Sequence, residues 1–433
     1  MPYLRIAIRN LWQAKRRSGL LIVALAMVTM LLVLLLSLSR GLTDTLIRAA
    51  TTLVSGHINV SGFYKDTPED AAPLVTGVGE LRRIVEESTP GLAYALDRHR
   101  GWAKMVSDTD AIQTGLVGVD LGEERQFHDV IEILDGDATR IAEAGQALIF
   151  KAQADRLEVR VGDPLTLVME TMRGHRNSAD VVVAAIAKDI GFMSNWNAFM
   201  SKETILDLYQ LKPDTAGAVQ VFLDDIEDAP EVMAQLRDVF ESKGYRLMEH
   251  DPKPFYMKFE TVSGEDWTGQ KLDLTLWSDE VAFMMKTIQA LDSLSVFLSA
   301  LLMVVIALGI MNTMWMAVRE RTGEIGTLRA IGMSRRRVLW MLLIEAAVLG
   351  FVGTLAGGLL GAGIALGVDA AHLPVPVDAI KAMLMSDTIH LVVRASHVLG
   401  AVTVFTLITA LSALWPALRA SRMQPVTAIH HIA

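Results

Sequence analysis

Four stretches of this chain, residues 19–38, 291–318, 338–367 and 398–415, are apolar over the roughly 18 residues or more that a helix needs to cross the hydrocarbon core of a membrane. Inside lipid a backbone must satisfy its own hydrogen bonds, so runs of this kind fold as helices. The 433-residue chain is therefore expected to be an α-helical membrane protein with four transmembrane helices. Some 240 residues of ordinary globular texture separate the first run from the second, enough to build one or two cores outside the membrane.

Charge gives the orientation. Between Arg40 and Glu280 there are 24 Lys and Arg against 42 Asp and Glu, a net of −18 in a chain whose total is −9. The remainder is basic, and its basic residues crowd the membrane ends: Arg5, Arg9, Lys15, Arg16 and Arg17 before the first run, six Arg from Arg319 to Arg337, then Arg419 and Arg422. By the positive-inside rule both termini and the 319–337 loop are cytoplasmic and the acidic segment lies on the far side. An even number of spans agrees. The acidity of that segment argues against nucleic acid as a partner. With no cysteine, the exported part has no disulfides and rests on its core alone.

Read in order, residues 1–18 form a basic amphipathic lead-in with Trp12 at the interface. The apolar run after it is too long for a signal-peptide h-region and lacks a cleavage site, so it reads as an uncleaved anchor. Leu42, Leu46, Ile47, Ala50 and Leu53 keep helical spacing, so residues 19–54 make the first span and a stalk above it. Residues 55–272 form the α/β domain, with a helix over 79–88, strands over 101–106 and 111–119, and a β-rich insertion over about 125–215 that includes a short helix at 151–157. A strand at 219–223, a helix from Pro230 and a strand at 244–247 complete a split α/β fold around it. Residues 273–318 read as a second stalk and span, with Leu291 on its apolar side. Residues 338–367 follow as span three, 368–397 as an outer loop with Pro374 and Pro376, and 398–416 as span four closed by Pro416. The tail is 417–433. Gly353, Gly357 and Gly361, spaced i, i+4, i+8, make a stripe that another helix backbone can approach closely.

Chemistry-bearing motifs are missing. The nearest imitation of a P-loop, Gly264 to Lys271, has Gln270 where the Lys belongs and no hydroxyl residue to hold Mg²⁺. The His residues are scattered without metal-ligand spacing, and no nucleophile elbow is present. No cofactor or metal is expected on this chain, and no catalysis. One ionisable residue, Glu345, sits about two turns inside span three, where an Arg of the loop, Arg335 or Arg337, is the expected partner.

The segment from Arg319 to Ser334 (Arg-Glu-Arg-Thr-Gly-Glu-Ile-Gly-Thr-Leu-Arg-Ala-Ile-Gly-Met-Ser), the glycine-rich third span and the tail from Pro416 to Val426 resemble the MacB/FtsX superfamily of ABC-transporter permeases. The resemblance covers 285–433 and the N-terminus most specifically; Ser55 to Val60 and the run from Ala147 to Leu167 look like the family's two-part periplasmic domain, a porter-like split α/β part with a β-rich insertion. It implies that 319–337 is a coupling helix, with Arg319, Glu320, Arg321, Glu324, Ile325, Leu328 and Arg329 seated against a separate ATPase dimer that holds ATP and Mg²⁺. A second permease chain, identical or not, would pair with this one in the bacterial inner membrane, and stalk residues Leu42, Leu46 and Leu291 would line a cavity between them. A chain of this length that begins at its membrane lead-in resembles the lipoprotein-releasing (LolC/LolE-type) permeases, which implies lipoprotein release or export of an envelope substrate. Efflux of small molecules or peptides with a periplasmic adaptor, and mechanotransmission to an external enzyme, are the alternatives. Lipoprotein, chaperone, adaptor and membrane lipid complete the implied partners.

Overall fold

The computed structural model describes residues 15–171, 174–190, 194, 196–373, 375 and 388–423. The expectations for Trp12, for Pro374 and Pro376, and for the tail beyond Met423 fall outside them. Two compact units emerge, a membrane unit from the two ends of the chain and an α/β domain built on Asp44–Thr287.

Helix α1 runs Lys15–Ala50 and ends in a π-helical turn, Thr51–Ser55. The α/β domain follows with β1 Ile58–Lys65, α2 Val78–Ser88, β2 Leu92–Val106, β3 Ala111–Val119, β4 Ile133–Gly136, β5 Gln146–Phe150, α3 Lys151–Leu157, β6 Pro164–Glu170, β7 Arg176–Ala187, β8 Asn197–Ser201, α4 Lys202–Tyr209, β9 Ala218–Leu223, α5 Ala229–Ser242 and β10 Gly269–Leu276. The main sheet runs β10-β1-β9-β2-β3-β8-β5-β7-β4, with β6 against β2 and β7. Strand β2 joins two lobes. Its first half, to Arg98, pairs antiparallel with β9, and from His99 onward it pairs antiparallel with β3.

Each lobe has its own core. Val78, Leu81, Ile84 and Val85 of α2 and Val232, Leu236 and Phe240 of α5 recur at helical spacing and cover Ile58, Val60, Val219, Val221 and Leu274 of the sheet. Burying each such side chain contributes about 1.5–3 kcal/mol. The second core gathers Met105, Leu116, Ile149, Leu167, Val183 and Met200 under Leu157 and Leu208. Because β2 from His99 and all of β3 belong with the second lobe, that lobe starts well before the insertion expected at 125.

Three sequence expectations change. Residues 244–247 form no strand; a single bridge, Leu247 to Leu272, is all that pairs there, and β10 supplies the strand after α5. Residues 273–276 belong to β10 rather than to a stalk, because Asp273 is fully buried and paired within the domain. The chain then makes one helical turn, Trp277–Glu280, before α6 begins at Ala282. Nor does Pro416 close the fourth span: the helix continues to Ser421 with Pro416 buried inside it. One proline costs a helix one hydrogen bond and a local kink, and neighbouring helices in a membrane bundle can absorb both.

The membrane unit comprises the first part of α1, then α6 (Ala282–Glu320) from Ile288 onward, α7 Thr322–Ala330, α8 Arg335–Ala370 and α9 Ala395–Ser421. Helix α8 is central: half of its spanning window is buried against 11% for α6. Its glycine stripe faces α1. A Cβ on Gly353 would lie 2.8 Å from the Leu25 Cβ, one on Gly357 2.7 Å from the Ala26 Cα, and one on Gly361 3.1 Å from the Val33 Cβ. On α8's other side Gly350 meets Thr409 of α9. In lipid, where apolar side chains gain nothing by leaving solvent, this closeness of backbones is what holds helices together.

Gly357→Leu should therefore lower stability by about 1–3 kcal/mol through overpacking, whereas Gly363→Ala, at a position where an added Cβ meets nothing within 4 Å, should be neutral. Thermal unfolding of both variants in detergent checks this; equal midpoints would contradict it.

Candidate coupling site

The charged segment folds as a separate short helix. Helix α6 ends at Glu320, Arg321 caps α7, and Gly332 at φ 105° turns the chain into α8, a conformation that a side chain would strain. One face of α7 is tied down. Ile325 is buried and Leu328 partly buried in the core of the membrane unit, with Val318, Val338 and Ala417. Arg321 reaches α8, where its Nη1 donates to both oxygens of the Glu345 carboxylate at 3.0 and 3.2 Å. Glu345 is buried, so this is a shielded pair in which each charge depends on the other. Arg329 Nη1 donates to the Met333 carbonyl at 3.3 Å and braces the turn. Glu324 and Thr327 on its opposite face, and Arg319 and Glu320 at the end of α6, are exposed.

The partner of Glu345 is thus Arg321, not the expected Arg335 or Arg337, both of which are exposed and form no ion pair among the described residues. Arg335 and Arg337 begin α8 itself, more than two turns from Glu345 along the axis, whereas the α6–α7 corner returns Arg321 to its level. The seven residues expected to meet an ATPase divide accordingly. Arg319, Glu320 and Glu324 face outward; Arg321, Ile325 and Leu328 hold the helix to the bundle, and half-buried Arg329 supports its end. At the same end of the unit Trp315 of α6 and Trp415 of α9 meet edge to face, centroids 5.3 Å apart, with the Arg419 guanidinium 5.2 Å over Trp315. Further along, Ser39 of α1 hydrogen-bonds Asp292 of α6. Of the stalk residues, Leu46 is buried and Leu42 partly so, while the side chain of Leu291 is outside the described structure.

In the α/β domain the exit of α1 is gripped by groups that the sequence reading passed over. Arg98, fully buried on β2, donates from Nη1 to the carbonyls of Thr52 and Leu53, both at 3.1 Å, and from Nη2 to the buried Glu124 carboxylate. These carbonyls belong to the π turn, where a helix end leaves acceptors without partners. The turn before α6 is tied into the same domain: Trp277 N donates to the His57 carbonyl at 3.1 Å, and Asp279 accepts from Leu276 N at 2.9 Å and faces His250 Nε2 at 3.0 Å. Glu280 accepts from Thr275 Oγ1 at 2.9 Å, and burial raises its carboxyl pKa against the pull of Arg100. Arg100 donates to Asn59 Oδ1 at 3.0 Å and lies over the Phe255 ring. Lys258 and Asp273 form a second fully buried pair at 2.7 Å. One sequence signal was available: Asp97-Arg98-His99-Arg100 puts four ionisable residues in succession inside a strand, so some must point into the sheet's interior.

Residues 296–425 match the family model described as the FtsX-like permease C-terminal region. Macrolide export ATP-binding/permease protein MacB of Bdellovibrio bacteriovorus is 31% identical over 214 residues, 49% of this chain and 28% of that protein. Pyoverdine export ATP-binding/permease protein PvdT of Pseudomonas fluorescens is 32% identical over 164 residues, 37% of this chain and 22% of that protein. ABC transporter permease YtrF of Bacillus subtilis is 32% identical over 136 residues, 31% of each chain. The aligned parts span less than a third of each of these relatives. The periplasmic region of MacB from Actinobacillus actinomycetemcomitans aligns with 44% of this chain and 85% of its own, at 11% identity and a TM-score of 0.30. Residues 296–425 carry an FtsX-like permease C-terminal domain, and the chain is similar to ABC-transporter permeases of the MacB/FtsX type.

Two measurements follow from this geometry. Glu345→Gln or Arg321→Ala leaves a buried partner uncompensated and should cost about 3–5 kcal/mol, while the exchange Arg321→Glu with Glu345→Arg should restore part of that in thermal unfolding; no difference between single and exchanged variants would contradict the pairing. The second concerns acid. Burial lowers His57 and His99 from 6.5 to about 4, so the unfolded chain takes up protons near 6.5 that the folded one refuses until about 4. Their contribution to stability is complete above pH 6.5 and declines as the pH falls toward 4. His99→Leu should flatten the fall of the thermal midpoint across that window; an unchanged slope would count against it.

Proposed function

We propose that this chain is the permease subunit of an ABC transporter of the bacterial inner membrane, with both termini in the cytoplasm, and that it converts ATP hydrolysis by a separate ATPase dimer into movement of its extracytoplasmic domain. The observation that carries this reading is the two-sided build of α7. Arg321, Ile325 and Leu328 fix it to the membrane unit, and Arg319, Glu320 and Glu324 remain exposed. A helix held in this way turns with α8 when something pushes on its outer face. Its mixed charges suit reversible docking, because rim charges favour orientation and rapid encounter over tight binding. ATP and Mg²⁺ belong to the ATPase. A second permease chain completes the pair.

For the cargo, release of a lipoprotein or export of another envelope substrate is the first reading, resting on the resemblance to lipoprotein-releasing permeases. Export of a small molecule with an adaptor is the second, favoured by the similarity to the macrolide-export protein MacB and the pyoverdine-export protein PvdT.

Glu324→Lys should abolish stimulation of the ATPase by the permease while the chain still inserts and folds, read as ATP turnover in reconstituted membranes. Unchanged turnover would remove the coupling role. A photoreactive residue at Leu42 separates the cargo readings: a crosslink to bound lipoprotein supports release, and a persistent absence of that product, with transport intact, supports the small-molecule reading.

A further inference from the structure

A face of the membrane unit away from the glycine stripe has a shape and charge that the coupling role does not use. Helices α8 and α9 separate there to leave a groove of about 210 Å³. Trp340, Ile344 and Ala347 line one side and Leu407, Leu411 and Leu414 the other, so no side chain in this set offers a hydrogen bond along its wall except the indole N–H of Trp340. The spacing is helical on both sides, giving two stripes that run along the groove. Ala347, with Ala410 facing the groove from α9, supplies the room, since a larger residue at either position would fill it.

The groove has one charged end. Arg336 and Arg337 stand about one turn before Trp340 on α8, roughly 4.5–6 Å along the axis at about 1.5 Å per residue. Both are exposed and form no ion pair among the described residues. Arg422 caps α9 at the end of the helix that follows Leu414, and it too is exposed. Trp340 itself is 60% exposed and sits where an amphipathic ring marks the boundary between headgroups and acyl chains.

We propose that this groove binds one anionic phospholipid from the leaflet that the Arg-rich loop faces. The acyl chain lies along Ile344, Ala347, Leu407 and Leu411, and the phosphodiester meets the guanidinium groups of Arg336 and Arg337, whose forked donors match phosphate oxygens. A second copy of the chain is the other occupant that an apolar membrane groove admits, and charge argues against it. A two-fold axis along the membrane normal would set the two Arg clusters at the same depth across the contact, and like charges there repel. A lipid phosphate neutralises them instead.

The full chain, purified in mild detergent and reconstituted in vesicles containing equal phosphatidylglycerol and phosphatidylethanolamine, would be examined by native mass spectrometry. The expected result is retention of one phosphatidylglycerol in clear preference to phosphatidylethanolamine. Arg336→Ala with Arg337→Ala should lower that retention at least fivefold. Ala347→Trp should lower it as far although every arginine remains, and the milder Ala410→Leu serves if the Trp variant fails to fold, as read by monodisperse elution and helical circular dichroism. Equal retention of the two lipids would overturn the proposal. So would retention by the filled groove, which marks a diffuse basic surface, or a change of oligomeric state in the filled-groove variant, which marks a second copy as the occupant.

Discussion

The arrangement of the membrane unit depends on one shielded ion pair, Arg321 with Glu345. A carboxylate buried on a central transmembrane helix is stable only with a partner, and the partner comes from the cap of the short helix that follows α6. That need fixes where the α6–α7 corner sits against α8. With the corner fixed, Ile325 enters the core, Gly332 turns the chain, Arg329 braces that turn, and Glu324 is left on the outward side. The seven residues that look like one charged loop in sequence therefore divide, four of them fastening the helix and three facing outward. Helix α8 in turn is held by contacts too close for a side chain, at Gly353 and Gly357 against α1 and at Gly350 against α9, and by a tight one at Gly361. Under the proposed coupling, a displacement of α7 would pass to the helix most buried in the bundle.

Buried charge plays a comparable part in the α/β domain. The two lobes share β2, so neither can shift without bending a strand that pairs on both sides. Arg98 on that strand holds the last carbonyls of the turn that ends α1, and the turn before α6 is bound by Trp277, Asp279 and Glu280. Apolar packing at these places would stabilise as well, but it would tolerate slippage; paired charges away from water have one good geometry and a steep penalty for leaving it. If these helix ends transmit a push, as the proposed function requires, that steepness is useful. The isolated helix propensity of these segments says nothing of the kind.

Much of the fold could be read from the residues because its strongest signals are local. Four apolar runs became α1, α6, α8 and α9; the helical spacing of residues 79–88 and 151–157 became α2 and α3; the alternation at 111–119 became β3. What escaped depends on partners distant in sequence. Nothing near residue 244 distinguishes a strand from the loop observed, since the sheet position beside β1 is filled by β10, more than twenty residues later. Asp273 looks like the polar face of a stalk until Lys258 is seen beside it. Glu345 was recognisable as a residue needing a cation, and proximity in sequence favoured Arg335 or Arg337; the turn at α7 brought Arg321 instead. Pro416 shows the converse, a strong local breaker overridden by the bundle around it.

Under the proposed coupling, the exposed face of α7 receives force from another protein while its inner face does not move relative to α8. Because the chain has no cysteine, Thr327→Cys gives it a single thiol to label. Its rate of reaction with a small maleimide would be measured in native membranes, with and without ATPase and with a non-hydrolysable ATP analogue. Strong protection by the ATPase that changes with nucleotide, together with an unchanged distance between spin labels placed on α7 and α8, is the result this account predicts. A labelling rate indifferent to the ATPase, or a distance within the α7–α8 corner that varies with nucleotide, would contradict it.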